Sequence, residues 1–212
     1  GITWDYLGVA RIESGKHAEA YPALVNALEF APNNPHILVN LGNTLIALEK
    51  CAQAAVFLEK ALEISPNMFV GRNNLGNAYR FMGRTKEAIE QLSLAIQLNP
   101  DHAYLFNNLG LAYRESGMNA AAIVQYQKAL TMQPNLLQVY PNLIDALRQN
   151  GQVQESIACA QHAISLTQEI PEIWGAYGDS LREANHLDAA IEAYIKALSF
   201  KKDSASSFNR RI

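Results

Sequence analysis

Asparagine recurs in this chain at a fixed interval: Asn40, Asn74, Asn108 and Asn142 stand 34 residues apart. Asparagine is a mediocre helix former, so local folding does not ask for it. A carboxamide both donates and accepts hydrogen bonds, which matches the N–H and C=O of an extended peptide backbone. A second series with the same spacing, Arg80, Arg114, Arg148 and Arg182, offers guanidinium groups. Asp145 and Asp179 precede the last two by three residues, the spacing of a pair along one helix, whereas Arg80 and Arg114 have no acid three or four residues before them. Catalytic chemistry has no comparable pattern. His17, His36, His102, His162 and His186 fall at unrelated places, and no Ser, Cys or carboxylate keeps a repeated relation to them that would make a triad or a metal site. Cys51 and Cys159 likewise differ in place, which reads as reduced, buried thiols.

The elements that position these residues repeat with them. The stretch 69–102 reads as two amphipathic helices, with Leu75, Gly76 and Tyr79 on one apolar stripe, Ala88, Leu92 and Ala95 on a second, and Gly83 between them. Taken in order, the units are 1–34, 35–68, 69–102, 103–136, 137–170 and 171–204, and 205–212 is the start of a seventh. Small residues hold the eighth place (Gly8, Gly42, Gly76, Gly110, Gly178) and the twentieth (Ala20, Ala54, Ala88, Ala122, Ala190). Large ones hold the twenty-fourth (Leu24, Leu58, Leu92, Tyr126, Tyr194), as interdigitated packing requires. Pro32, Pro66, Pro100 and Pro134 end units, and Asn34, Asn67, Asp101 and Asn135 are expected to cap the helices that follow. Gly15, Gly83, Gly117, Gly151 and Asn185 are expected to adopt a left-handed conformation at the inner turn; the second unit, with Glu49 there, is the exception.

The fifth unit departs most. It has Ile144 for Gly, Ser156 for Ala, Ala160 for the large residue and Gln168 for Pro, with Pro141 early in its first helix. That helix is expected to begin late or bend, with Tyr140 pushed away from helical angles. The unit is expected to be the weakest internal one. Tyr79, Tyr113, Leu147 and Leu181 share the eleventh place and read as core, as do Trp4 and Trp174 at the fourth. Each unit buries its stripes only against its neighbours, so function belongs to the faces left over.

Composition is consistent with a folded helical chain. Of 212 residues, 49% are hydrophobic and 17% charged, enough for a continuous core, which argues against disorder. A net charge of −3 gives no general attraction to nucleic acid or an acidic membrane. No 18-residue apolar run or signal peptide is present, and a cytoplasmic setting is expected. A first residue of glycine is what a fragment would show.

Trp4, Leu7, Gly8, Ala20, Leu24, Ala27 and Pro32, with their counterparts downstream, resemble tetratricopeptide repeats over residues 1–204. The resemblance implies an all-α solenoid of antiparallel helix pairs in a right-handed superhelix, with the first helices lining its inside. The recurring asparagines are similar to the asparagine ladder in the repeat domain of the O-linked N-acetylglucosamine transferases, onto which Asn40, Asn74, Asn108 and Asn142 map. The lysines by which some members clamp acidic chaperone tails are missing, since Val39, Asn73 and Asn107 stand at the fifth place. A pentatricopeptide-like RNA reader is disfavoured by charge and by the Gly and Ala pattern.

The expected function is a protein-interaction module that holds an extended peptide or protein segment, an acidic one included, in a concave groove. Asn73, Asn77 and Asn107, with Arg80 and Arg114, place its centre in units three and four. No cofactor, metal, nucleic acid or membrane is expected as a partner, and no catalytic residue. Two alternatives are a substrate-recognition arm of a larger enzyme such as a glycosyltransferase, and an assembly scaffold that self-associates through open solenoid ends.

Overall fold

In the computed structural model the backbone is described for residues 2–209 and the side chains for residues 3–200. Those residues form twelve α-helices and no strand. They run as pairs: α1 (Ile2–Glu13) with α2 (His17–Phe30), α3 (Pro35–Ala47) with α4 (Cys51–Ile64), and α5 (Phe69–Phe81) with α6 (Thr85–Leu98). Then come α7 (Ala103–Glu115), α8 (Asn119–Met132), α9 (Val139–Gln149), α10 (Val153–Leu166), α11 (Pro171–Glu183) and α12 (Leu187–Asn209). The side chains of the seventh unit lie outside the described residues. Two compact units, Gly1–Ala112 and Tyr113–Ile212, organise the contacts.

Within the first unit α3 packs on α1 and on α5, a closer approach than any among the backbones of α2, α4 and α6; in the second unit α9 packs on α11. First helices therefore form the closer layer of each unit. Inside a pair, close approach needs a missing side chain. A Cβ at Gly42 would sit 2.4 Å from Leu58 Cγ, and one at Gly76 would sit 2.6 Å from Leu92 Cγ. Leu24, Leu58, Leu92 and Tyr126 are fully buried.

The inner turn has a positive φ at each of its six positions between paired helices, from 60° at Glu49 to 81° at Gly151. Glu49 adopts the left-handed conformation although it carries a Cβ, a strained choice for that residue. Helix caps differ from expectation. Asn34 accepts from the His36 N–H at 3.0 Å, but α5 starts after Met68 and α9 after Gln138, neither of which makes a side-chain cap. Asn67, Asp101 and Asn135 precede the capping position by one residue or more. α9 begins two residues late, at Val139, and Tyr140 lies inside it, contrary to the expectation for that residue. Pro141 falls in the first helical turn, where its missing N–H has no partner to lose. Trp4, expected in the core, is 38% exposed, and Leu7 one turn on is 37% exposed, since no described helix covers that side of α1.

Candidate functional site

Asn40, Asn74, Asn108 and Asn142 are all half-buried on first helices, four residues or fewer from a fully buried core position. The fifth place is deeper than a single helical wheel suggests: Val39 and Asn107 are buried, and a Cβ at Gly71 on the next first helix would sit 3.3 Å from Val39 Cγ2. In the first unit four of the predicted residues join in one relay. The Asn107 amide donates to Asn108 Oδ1 (3.4 Å), Asn108 Nδ2 donates across the repeat boundary to Asn73 Oδ1 (2.8 Å), and Asn73 Nδ2 donates to Asn74 Oδ1 (3.2 Å). Asn74 donates to no described residue. At the opposite end Asn107 Oδ1 is buried without a partner, as is Asn77 Oδ1 one turn further along α5. Each carboxamide keeps unused capacity, because the relay takes one N–H or one lone pair at each step.

Asn40 stands apart from the relay. It lines a cavity of about 290 Å³ with His36, Val39, Met68, Phe69 and Val70. In the second unit Asn142 is held differently, accepting from Arg114 Nη1 at 3.2 Å and donating to the Gln138 carbonyl at 3.3 Å. Arg114 is thus engaged, where the sequence suggested a guanidinium without an intramolecular partner. Arg80 stacks on the ring of its neighbour Phe81, 4.2 Å from the centroid. Arg148 pairs with Asp145 (3.5 Å) and Arg182 with Asp179 (3.3 Å), as the three-residue spacing implies. Arg148 also reaches Glu183 at 3.2 Å, a link to the next first helix that local spacing could not reveal.

Burial pushes the Cys159 thiol up to about 11, so it stays protonated at neutral pH. Tyr79 is pushed up to about 12, by burial first and then by its 2.6 Å hydrogen bond to Glu59. Among the described residues no cluster of three His, Cys, Asp or Glu could hold a metal ion, and no helix is long and apolar enough to cross a membrane.

Comparison with known families fits the helix pairs. Tetratricopeptide repeat models match residues 35–68 and 103–136, residues 76–117, and residues 142–206. The chain belongs to the tetratricopeptide repeat family. Three solved structures illustrate the shared fold. The Cut9–Hcn1 hetero-tetramer of the APC/C is similar at TM-score 0.82 and 18% identity, over 99% of this chain and 42% of that one. PilF of Pseudomonas aeruginosa gives 0.76 and 20%, over 96% of each chain. YrrB, described as a tetratricopeptide repeat protein with an unusual peptide-binding site, gives 0.66 and 19%, over 89% of this chain and 97% of its own. At these identities the likeness is one of fold. No curated protein sequence matches this tetratricopeptide repeat chain.

Proposed function

We propose that this chain is a protein-interaction module that holds an extended segment of a partner along its first helices, through the carboxamides of Asn40, Asn74 and Asn108 in the first unit and of Asn142 in the second. The observation that carries the reading is the relay Asn107–Asn108–Asn73–Asn74, which fixes side-chain orientation while leaving the Asn74 N–H groups uncommitted. Preorganised amides lose little rotamer freedom when a peptide arrives. Arg80 lies one to two turns beyond Asn74 on α5, within reach of an acidic group on the same segment.

The test is a pull-down with the 212-residue chain, comparing wild type with Asn40, Asn74 and Asn108 changed together to Ala. Each lost hydrogen bond should cost about 0.5–1.5 kcal/mol, so the triple variant should lose roughly 1.5–4.5. Asn142→Ala should matter least, because Arg114 and the Gln138 carbonyl already occupy that amide. A folded triple variant that retains every partner would place the interaction surface elsewhere.

A second reading, self-association, has its own observation. Leu187, Ile191, Ile195 and Leu198 form an exposed apolar stripe on α12. The equivalent Tyr21, Val25 and Leu28 of α2 pack against a cluster that includes Ile37 and Leu41 of α3. A second copy supplying a helix to the α12 stripe would raise the sedimentation mass with concentration, and Ile191→Lys with Ile195→Lys should abolish the rise. A mass independent of concentration removes this reading.

A further inference from the structure

We propose that the first repeat carries a site for a cationic side chain, a lysine or arginine of the same extended segment. The inference rests on the reading of the asparagine face given above and names part of what that face selects. A cavity of about 690 Å³ opens beside α1, lined by Asp5, Tyr6, Phe30, Asn34 and Ile37 among others, with one carboxylate and no cation among the described lining residues. Asp5 stands at the fifth place of its unit, where the next three units have Val39, Asn73 and Asn107. Helix packing at that place therefore does not call for a carboxylate. Asp5 is half-buried in that lining, and its Oδ1 accepts no hydrogen bond from the described residues. A carboxylate short of donors at the wall of a cavity attracts an arriving ammonium or guanidinium group.

The rest of the lining suits the same guest. Tyr6 occupies the sixth place, in the row of Asn40, Asn74 and Asn108, and it is 70% exposed; Phe30 is 67% exposed. Two open aromatic side chains beside a carboxylate provide cation–π and ionic attraction together. The next cavity, one repeat on, differs in kind. Val39 and Asn40 take the fifth and sixth places there, beside Met68, Phe69 and Val70, so it suits an apolar side chain. Packed helices lie about 8–10 Å apart and an extended chain rises about 3.3 Å per residue, which separates the basic and apolar residues of the segment by about three positions.

Random dodecapeptides displayed on phage, selected on the 212-residue chain, test the assignment. The selected set should carry Lys or Arg about three positions from an aliphatic or aromatic residue. A synthetic peptide from that set should bind Asp5→Asn about tenfold more weakly, with the apolar preference intact, and Tyr6→Ala, at an exposed position, should weaken it several-fold. Circular dichroism checks that both variants stay folded. Selected peptides without a basic residue, or equal binding to wild type and Asp5→Asn, would overturn the inference. If those peptides still depend on Asn40, Asn74 and Asn108, the inference alone fails; if they depend on neither set, or if no peptide is selected, the reading of the asparagine face fails with it.

Discussion

Repeats three and five solve one packing problem in opposite ways. In repeat three the first helix contributes Gly76 and the second contributes Leu92, so close that a Cβ on the glycine would meet the leucine at 2.6 Å. In repeat five the first helix contributes Ile144 and the second Ala160; both are fully buried, in a cluster with Tyr140, Ala163 and Ile173. Bulk has moved from one helix to the other. What the fold holds constant is the joint volume of the facing pair, not the residue at either place. The other departures of repeat five are also answered locally. The Ser156 hydroxyl donates to the Val153 carbonyl at 2.8 Å, and the Gln168 carbonyl accepts from Trp174 Nε1 at 3.0 Å. The expectation that this repeat is the weakest internal one rests on several lost small and turn residues; of these, Ile144 and Ala160 share one buried cluster, as two halves of one exchange would.

Ile144→Gly breaks the comparison most severely. It opens a void opposite Ala160 and should cost about 3–6 kcal/mol by denaturant unfolding, of which about 1 is the helix propensity of glycine. Adding Ala160→Leu restores the arrangement of repeat three and should recover more than half of that loss. Strictly additive costs in this double-mutant cycle would show that the two residues do not share a space. Next in size is Gly76→Ala in repeat three, expected to cost about 1–3 kcal/mol, and Leu92→Ala in the same molecule should relieve part of it. Glu49→Gly in repeat two sharpens the contrast from the other direction. Here a departure has no compensating partner, so relieving the left-handed strain should add about 1 kcal/mol, read as a higher melting midpoint. The smallest effect concerns the eleventh place, Tyr79 in repeat three and Leu147 in repeat five. Ultraviolet titration should find Tyr79 ionising near about 12, and Glu59→Gln should lower that midpoint. Because the folded state favours the neutral phenol, its contribution to stability holds below the ordinary tyrosine value of about 10 and is lost as pH rises toward about 12.

Much of the fold was legible because each repeat states the same rules again. The left-handed turn residues Gly15, Gly83, Gly117, Gly151 and Asn185, and the small residues between paired helices, could be read from the period alone, whereas Glu49, the exception by residue type, adopts the left-handed conformation too. Capping was misread at Asn67, Asp101 and Asn135 because a helix beginning at Phe69 needs its cap at Met68 and one beginning at Val139 needs it at Gln138, and an error in register of even one residue removes the bond. The candidate site was legible as a row of asparagines but not as a network. A wheel describes one helix in isolation, whereas the burial of Val39 and the bond from Asn108 to Asn73 depend on how one first helix lies against the next. The partner of Arg148 at Glu183 was hidden for the same reason.

The amide relay has a sense of direction. Each carboxamide from Asn107 to Asn74 donates the same way along the row, so the small dipoles add, leaving an electron-poor end at Asn74 and an electron-rich end at Asn107. Hydrogen bonds joined head to tail polarise one another, and a carbonyl bound at Asn74 meets a stronger donor than an isolated asparagine would present. The face is therefore not a set of interchangeable rungs. On the reading proposed above it would be a graded surface, one that distinguishes a chain laid in one direction from the same chain reversed.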